Sequence, residues 1–499
     1  MYDGAETSPS ISSPLKTRSY IDIQTNAAHV TMALRRLGIP LTRICLLFIL
    51  VGILKHLFST RNHELKYHTA QITPTPNLSL PTLNSKVDLV FFIFQEVCPR
   101  HLWYPHDRVS GVLLLDVIDT ECLQHLDLNV QAANCQQEKS CVIEYLEHIP
   151  LASSPLDGKV VFCVDCELWL LSSLRKFTFS LIKPSKKDFD QMIWLEAISP
   201  TELRSWEKVS FEISVITTCR MKTLRNLMDA VLHANFLGDN VDLQVSVDSN
   251  ASSECLQFID SFQWNHGGYH VRRRIRSAGG AQIAVPEGLG ATGPDGHYGI
   301  LLEDDVLVSS EFYAWLKFAG LQVQQTAQKY SQKIFSISLY TPRVIETGRE
   351  RREWIEYEDL NILRGSAYLY EVPCSWGSAF SATHWSKALS YFEARLSGEE
   401  RYNPIENSRV NDWTGSWKKW LIELGYYEHW TTLYPLFEEE RSFSTNLLQK
   451  GQHIIEPQNS DVEMYVVPLF EDNSWYSQLR NKRLFPKERS FDLHFTPVT

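Results

Sequence analysis

The chain is short of positive charge, internal repeats and phosphate-binding loop signatures. Its 499 residues include 48 lysines and arginines against 59 aspartates and glutamates, which gives a net charge of −11. This balance argues against a general nucleic-acid-binding protein, because such proteins present a basic face. No Gly-rich segment is followed by Lys-Ser or Lys-Thr at the spacing of a phosphate-binding loop. The sequence therefore predicts a large globular protein outside these classes.

Cysteines are also few for this length, ten in all, which excludes a small scaffold held together by disulfides. Those that follow Cys45 are free to pair as disulfides in an oxidising compartment, although the sequence does not define the connectivity. Cys163 and Cys166 form an isolated C-x-x-C in an apolar run. A zinc site needs further ligands, which the sequence does not show, so we assign these two cysteines a structural role.

One apolar segment is typical of a membrane anchor. Residues 37–58, LGIPLTRICLLFILVGILKHLF, contain an uninterrupted apolar core at Ile44–Leu54. This core is shorter than the roughly 20 residues that cross a bilayer, so Arg43 and Lys55 must extend toward the two interfaces. No small-residue cleavage site follows the run, which argues against a cleaved signal peptide. A helix of a soluble protein is the alternative.

The segments around the anchor predict a single-pass type II protein of the Golgi or ER membrane with a luminal catalytic domain. Residues 1–36 are polar and rich in Ser and Thr, which is typical of a disordered cytosolic tail. Residues 59–85 carry Pro74, Pro76 and Pro81 and predict a stem. Basic residues lie on both sides of the anchor, so the orientation rests on two later glycosylation sequons, at Asn77 and Asn250.

Two domains are predicted after the stem. Residues 86–205 contain strand-like apolar runs, such as VDLVFFIF and GVLLLDVI, and predict a mixed α/β accessory domain. Residues 206–499 contain the strand-like FEISVITT, the helical TLRNLMDAVLHANF, the strand-like DLQVSVD and YGILLEDDV, and the helical EFYAWLKFA. This alternation predicts an open α/β sheet, in which ligands bind at the carboxyl ends of the strands.

Glu303, Asp304 and Asp305 form the most informative triplet in the sequence. They follow an apolar run, Gly299–Leu302, that predicts a buried strand. Two or three carboxylates at such a strand end repel one another unless a cation neutralises them. A hard divalent ion, bound by one or two carboxylates and by diphosphate oxygens, suits this arrangement. The triplet alone leaves an exposed acidic turn open as the alternative.

The stretch YGILLEDDVLVSSEFYAWL resembles the metal-binding segment of GT-A glycosyltransferases, in the Glu-Asp-Asp form of the N-acetylglucosaminyltransferase I-like enzymes. It is also similar to family-2-like proteins of fungi and plants. SVITTCRMKTLRNLMDAVL resembles the first strand and nucleotide-binding helix of the GT-A family, and LQVSVDSNA resembles the next strand. CSWGSAF, SWKKWLIELGYYEHWTTLYP and SFSTNLLQKGQHI resemble later blocks in the same order. The resemblance covers residues 211–455 and implies an α/β GT-A (nucleotide-diphospho-sugar transferase) catalytic domain.

The resemblance also implies roles for particular residues. Asp305 would contact a divalent metal ion most directly, with Asp304 and Glu303 in its first or second shell. Family members usually use manganese. Asp248 would face the uridine or ribose of the donor. The nucleotide pocket would be lined by Thr217, Thr218 and Arg220.

An inverting transferase needs a carboxylate that takes the proton of the acceptor hydroxyl. Asp412, in VNDWTGSW, lies where the N-acetylglucosaminyltransferase I-like enzymes have Trp-Asp-Asp-Trp, although Asn411 replaces one of the acids. We therefore predict Asp412 as the base and Glu423 as the second candidate. The inverting mechanism rests on this similarity, and a solvent-facing helix position is the alternative for Glu423.

Three further features have both a functional and a structural interpretation. Trp376, beside Gly377, offers an aromatic wall for a sugar and is equally suited to a core position. His453 is a candidate ligand of the metal or the diphosphate, although a lone histidine is more often structural. The basic run of Arg272, Arg273, Arg274 and Arg276 is interpreted as solvated surface, with a diphosphate clamp as the alternative.

These features predict a membrane-anchored, metal-dependent glycosyltransferase. It would move a sugar from a nucleotide-sugar donor, a UDP-sugar, to a glycan, glycoprotein or glycolipid acceptor. Two other functions stay open. One is a non-catalytic GT-A-like protein that binds a glycan or a partner, which would not need to keep the acidic triplet. The other is a metal-dependent phosphohydrolase or nucleotidyltransferase, which would need a second cluster of ligands that the sequence does not show.

Overall fold

The computed structural model describes residues 89–93, 112–114, 130–132, 159–164, 179–275, 280–326, 332–348, 353–357, 364–399, 402, 405–413, 415–449, 458–479, 484 and 489–498. These residues belong to one compact unit, Leu80–Thr499. The predicted tail, anchor and stem lie outside the described residues, as does His453. Within the described part of the chain, no helix combines the length and the apolar character needed to cross a membrane.

The first sheet lies within the predicted accessory region and is parallel throughout. Its strands are Leu89–Ile93 (β1), Val112–Leu114 (β2), Val130–Ala132 (β3), Val160–Val164 (β4) and Ser180–Ile182 (β5), in the order β3-β2-β1-β4-β5. β4 has the sequence VVFCV and is buried along its whole length, as is usual for a parallel strand that is covered on both faces. Cys163 in this strand is disulfide-bonded, in agreement with the structural role predicted for it.

A larger, mixed sheet carries the candidate site. Its nine strands are Ser210–Thr217 (β6), Leu243–Val247 (β7), Tyr269–Arg273 (β8), His297–Glu303 (β9), Ile334–Ser338 (β11), Ser366–Tyr370 (β12), Ser378–Ser381 (β13), Thr431–Leu436 (β14) and Ser490–Phe491 (β16). The order is β16-β12-β14-β11-β13-β9-β6-β7-β8. The four strands β8, β7, β6 and β9 are parallel, and β13 enters antiparallel beside β9. Val306–Val308 (β10) and Ser444–Asn446 (β15) form a separate antiparallel ribbon.

Ten α-helices are described. They are Lys186–Gln191 (α1), Pro200–Leu203 (α2), Met221–Leu232 (α3), Ser253–Ser261 (α4), Ala281–Gly288 (α5), Phe312–Gln325 (α6), Ala382–Leu396 (α7), Trp417–Glu428 (α8), Asn459–Tyr465 (α9) and Ser474–Gln478 (α10), with short 3₁₀ turns at Ile193–Ala197 and Glu438–Glu440. In α3, Leu224, Leu227, Met228 and Val231 are buried, at the spacing of one helix face. The strands and helices predicted between residues 211 and 319 are therefore present.

One hydrophobic core connects the two sheets. Phe162 of β4, Val215 of β6 and Leu224 of α3 belong to the same cluster of buried side chains. A disulfide between Cys219 and Cys255 joins the loop after β6 to α4, with a Cα–Cα distance of 5.8 Å. This covalent link constrains the loop that follows the carboxyl end of β6, next to the candidate site.

Candidate functional site

Three neighbouring parallel strands end at the same edge of the large sheet. Thr217 ends β6, Val247 ends β7 and Glu303 ends β9. The amide of Asp248 donates to the Thr217 carbonyl at 3.2 Å, and the amide of Asp304 donates to the Ile216 carbonyl at 3.1 Å. These bonds extend the pairing just beyond the strands. They hold the candidate residues at the carboxyl edge, where open α/β sheets bind ligands.

This edge forms one wall of a cleft of about 380 Å³. The nucleotide side of the cleft, as we name it, consists of Thr217, Thr218, Arg220, Ser246, Asp248, Arg272, Arg274 and Glu287. The aromatic side consists of Ser375, Trp376, Arg409, Trp413, Ser416, Trp417, Lys418 and Tyr465. The acidic triplet Glu303–Asp305 also lines the cleft. The structure thus brings together, at one cleft, the triplet and the predicted donor-site residues that it describes: Thr217, Thr218, Arg220, Asp248 and Trp376.

Asp304 points inward and anchors the loop after β6. The residue is only 1% exposed. Its carboxylate accepts hydrogen bonds from the Thr217 hydroxyl at 2.6 Å and from the backbone amides of Thr218 at 2.9 Å and Arg220 at 3.3 Å. The Arg220 guanidinium pairs with the same carboxylate. Both oxygens of Asp304 are therefore occupied by donors from this loop.

Arg220 is shared between two acids. Its guanidinium also lies 3.4 Å from the carboxylate of Asp305. Burial lowers the pKa of the Arg220 guanidinium, but the charges of Asp304 and Asp305 more than offset burial and raise it above the ordinary value. Arg220 is therefore a permanent cation at the base of the cleft, and it neutralises part of the triplet.

Glu303 and Asp305 lie where burial and mutual repulsion disfavour the charged forms of their carboxyl groups. Burial, followed by the charges of the neighbouring carboxylates, raises the pKa of Glu303 to about 8. A hydrogen bond from Trp417 and the charge of Arg220 act in the opposite direction. Burial also raises the pKa of Asp305, against the lowering effect of Arg220. A second cation near these two carboxylates would favour their charged forms.

The position of Asp305 is fixed through its backbone. The amide of Leu447 donates to the Asp305 carbonyl at 2.8 Å, directly after the β10–β15 ribbon. The Asp305 side chain is 19% exposed, in contrast to the enclosed side chain of Asp304. Glu303 and Asp305 are thus the members of the triplet whose carboxylates are available to bind a ligand.

The donor set suits a hard divalent ion that takes one or two ligands from the protein and the rest from a diphosphate and water. Asp305 and Glu303 would supply the protein oxygens. Among the residues that the structure describes, no three His, Cys, Asp or Glu side chains are arranged as a complete metal site. An ion at this position would therefore depend on the bound nucleotide for its remaining ligands.

The basic run that begins at the end of β8 was interpreted as surface, with a diphosphate clamp as the alternative, and part of it lines the cleft. Arg272 and Arg274 are two residues apart, so they share one side of the extended chain. Both line the cleft, and both pair with Glu287 of α5, at 3.4 and 2.7 Å. In a strand, residues two positions apart point to the same side, and this spacing is the sequence signal that could have predicted the shared placement of Arg272 and Arg274.

The remaining predicted residues have different placements. Trp376 lies in the cleft, with its ring 5.0 Å from the ring of Tyr465. Asp412 is exposed and is not among the lining residues, although Trp413 next to it is. Glu423 is buried in α8 and accepts a hydrogen bond from the Tyr391 hydroxyl at 3.0 Å. The solvent-facing alternative for Glu423 is therefore wrong, because the side chain packs against α7.

Comparisons with known proteins give limited similarity. A family model described as the SPBC1E8.03c C-terminal domain matches residues 219–401, which is less than half of the chain. No curated protein matches the sequence. The solved structure of S. aureus TarS 1-349 is 13% identical over 46% of this chain and 60% of that chain, with a TM-score of 0.28.

The same TarS fragment has been solved with two ligands. Its complex with UDP-GlcNAc is 10% identical over 51% of this chain and 64% of that chain, with a TM-score of 0.29. Its complex with UDP is 11% identical over 47% and 59%, with a TM-score of 0.26. The chain thus spans less than two thirds of each of these structures. Similarity at this level does not define the function of the present protein.

Proposed function

We propose that this protein is a glycosyltransferase that moves a sugar from a nucleotide-sugar donor, a UDP-sugar, to a hydroxyl group of a glycan, glycoprotein or glycolipid. The observation that carries the proposal is the convergence of Asp248, Arg220 and the Glu303–Asp305 triplet on one cleft at the carboxyl edge of parallel strands. A nucleotide with a diphosphate needs polar groups for its ribose and cationic groups for its phosphates. The nucleotide side of the cleft contains both.

The residues of the nucleotide side have separate tasks in this proposal. Asp248 hydrogen-bonds the ribose or uracil at the end of β7. Arg220, Arg272 and Arg274 attract the diphosphate, because guanidinium groups match phosphate oxygens in pairs. Asp304 keeps the Thr217–Arg220 loop in position rather than touching the donor itself. Glu303 and Asp305 would hold a divalent ion, for which we propose Mn²⁺.

When bound, this ion would supply positive charge that stabilises the departing nucleoside diphosphate. Arg220 lies against the same carboxylates and is positioned to add to that stabilisation. The acceptor sugar would lie on the aromatic side, against Trp376, because indole faces pack well on sugar rings. We propose Asp412 as the base of an inverting reaction, from the similarity of its sequence context. Its exposed position beside Trp413 means that the acceptor must reach it at the mouth of the cleft.

The wider setting is also a proposal. Residues 37–58 would anchor the chain in the Golgi or ER membrane as a single-pass type II protein, with the catalytic domain in the lumen. The support is the apolar composition of that segment and the sequons at Asn77 and Asn250. Deglycosylation of the expressed full chain with an endoglycosidase tests the orientation. A shift in gel mobility supports a luminal domain, and an unchanged mobility in a chain that reaches the membrane argues against it.

Nucleotide binding tests the proposed function directly. Calorimetric titrations of the full chain with UDP, GDP, CDP and UDP-sugars, with and without Mn²⁺, would identify the donor. We expect selective binding of UDP compounds that Mn²⁺ strengthens roughly ten-fold or more in wild type and fails to strengthen in Asp305→Asn. Asp295→Asn is the matched control, because Asp295 is exposed and lies outside the cleft. Lack of binding to every nucleotide by folded wild type would overturn the proposal.

A non-catalytic binding protein is the second candidate. It is favoured by the observation that neither Asp412 nor Glu423 lines the cleft. A nucleotide sugar that binds tightly but is neither hydrolysed nor transferred to any tested acceptor would support this candidate. Release of inorganic phosphate from the nucleotide, without release of sugar, would point instead to a phosphohydrolase.

A further inference from the structure

Two cations on the aromatic side of the cleft have no role in the transfer described above. Arg409 and Lys418 line the cleft beside Trp376 and Trp413. They come from different segments, the loop that precedes α8 and the first turn of α8. Both lie near one buried carboxylate, that of Glu346.

Arg409 is held in place by one edge of its guanidinium. Its Nε donates to the Glu346 carboxylate at 3.1 Å, and its backbone amide donates to the Glu346 carbonyl at 3.2 Å. The Ser408 hydroxyl donates to the other carboxylate oxygen of Glu346 at 3.2 Å. Among the described residues, the two terminal nitrogens of Arg409 have no hydrogen-bond partner. These two nitrogens are therefore available to bind a ligand. The Arg409 side chain is 20% exposed, so a ligand in the cleft can reach it.

Lys418 has even fewer partners. Within the described part of the chain, its ammonium group makes no hydrogen bond and no ion pair within 4.0 Å. Burial lowers the pKa of Lys418, and the charge of Glu346 only partly opposes this effect. A partly buried ammonium that lacks a hydrogen-bond acceptor destabilises the folded protein. An anion bound in the cleft would offset that cost.

The local charge also favours an anion. Glu346 carries one negative charge, and its side chain is 1% exposed, whereas Arg409 and Lys418 carry two positive charges. The next carboxylate, Glu303, also raises the pKa of Lys418, by less than Glu346 does, but Glu303 accepts a hydrogen bond from Trp417 and lies near Arg220. The amino end of α8, capped by Ser416, adds the partial positive charge of a helix start.

We propose that Arg409, Lys418 and the first turn of α8 form an anion-binding subsite for a phosphate or carboxylate group. The inference deepens the proposed function, because it assigns a charged group to one of the two substrates of the same cleft. The group has two possible sources: the diphosphate of the donor, or an acidic group on the acceptor. Trp376 and Trp413, beside the cations, offer a surface for the sugar that carries an acidic group.

Lys418→Met is the variant to test, because it removes the ammonium, keeps most of the apolar stem and breaks no hydrogen bond. We expect its melting temperature to equal or exceed that of wild type, which separates loss of binding from loss of fold. Lys418→Arg keeps the positive charge and should bind as wild type does. Lys208→Met is the matched control, since Lys208 is exposed and lies outside the cleft.

Two sets of titrations into the full chain distinguish the sources. If the donor occupies the subsite, Lys418→Met weakens UDP binding roughly ten-fold or more and leaves uridine binding unchanged. If the acceptor occupies it, UDP binds equally to both proteins. Glycerol 3-phosphate or methyl glucuronide then binds the UDP-saturated wild type and loses roughly ten-fold in Lys418→Met, while glycerol and methyl glucoside show no such difference.

Equal binding of UDP, glycerol 3-phosphate and methyl glucuronide by wild type and Lys418→Met would overturn the subsite. This outcome is separable from failure of the proposed function. If UDP fails to bind the folded wild type but glycerol 3-phosphate or methyl glucuronide binds in a Lys418-dependent manner, the subsite stands and the nucleotide-sugar proposal does not.

Discussion

The guanidinium of Arg220 pairs with the buried carboxylate of Asp304, and this contact joins the loop after β6 to the end of β9. Asp304 also accepts hydrogen bonds from Thr217 and Thr218 of the same loop. The disulfide at Cys219 constrains this loop from its other side. The nucleotide side of the cleft is therefore organised around an ion pair between two of the protein's own side chains.

Replacing Arg220 by Met should destabilise the fold, because Asp304 would keep a buried charge with fewer donors. We expect the free energy of unfolding to fall by about 2 kcal/mol, since Arg220 is partly exposed and three hydrogen bonds to Asp304 remain, from the Thr217 hydroxyl and from the backbone amides of residues 218 and 220. Arg225→Met is the control: Arg225 pairs with Glu254 at 3.2 Å, and both side chains are at least half exposed. Its effect should be below about 0.5 kcal/mol. Urea unfolding curves that coincide for the two variants would refute the role of the ion pair.

Gly377 should be required for the position of Trp376. Its φ is +95°, and a Cβ there would lie 2.9 Å from the Ser444 hydroxyl, which itself donates to the Trp376 carbonyl at 2.5 Å. We expect Gly377→Ala to lose about 2 kcal/mol of stability, and the altered Trp376 backbone to weaken ligand binding on the aromatic side. Gly398→Ala is a close control, because its φ is +89° and its surroundings are open. Equal effects of the two substitutions on stability and binding would contradict this account.

Glu311 should make stability depend on pH. Burial raises its pKa, a hydrogen bond from Trp475 opposes this increase and the charge of Asp472 adds to it, so that the pKa is about 7. Because the folded-state pKa lies above the ordinary value of 4.5, the protonated form favours folding. Its contribution is fully present below about pH 4.5 and is lost as the pH rises through about 7.

Glu311→Gln removes this titration. Relative to wild type, the variant should gain stability as the pH rises from about 5 to about 8, by up to about 3 kcal/mol. Urea unfolding at both pH values measures the difference. A stability difference that stays constant between them would show that Glu311 does not titrate as described.

Much of the fold and part of the site followed from the sequence. The runs that became β6, β7 and β9 are rich in apolar and β-branched residues, and short runs of this kind predict strands. The acids at the end of β9 then marked the edge where a ligand binds. The sequence did not show which member of the triplet turns inward, because this depends on the donors of the loop after β6 that surround Asp304.

The aromatic side of the cleft was harder to predict. Arg409, Lys418 and Tyr465 are contributed by separate elements, and only the tertiary packing brings them to one surface. The segment around Asp412 was singled out for its acid, whereas its neighbours Arg409 and Trp413 are the residues that line the cleft. Local patterns indicate strand ends well, but they do not show which loops converge on them.

The buried pair of Lys317 and Asp239 should show strong energetic coupling. The two groups are 2.7 Å apart, and Asp239 also accepts hydrogen bonds from Trp206 and Tyr313. Asp239→Asn removes the nearest counter-charge of the buried Lys317 ammonium, leaving only the weaker effect of Glu207, and should cost about 3 kcal/mol. The double variant Asp239→Asn/Lys317→Met should be less destabilised than the sum of the two single variants. Strict additivity in this cycle would show that the pair is not coupled.

The measurement that tests the central claim most directly is release of UDP from UDP-sugars by the full chain in the presence of Mn²⁺ and candidate acceptors. We expect turnover of one donor by wild type and by Asp295→Asn, and a loss of roughly 100-fold in Asp305→Asn, because the ion that stabilises the leaving group would lose its main protein ligand. Equal turnover by wild type and Asp305→Asn, or no turnover of any donor by folded wild type, would contradict the account.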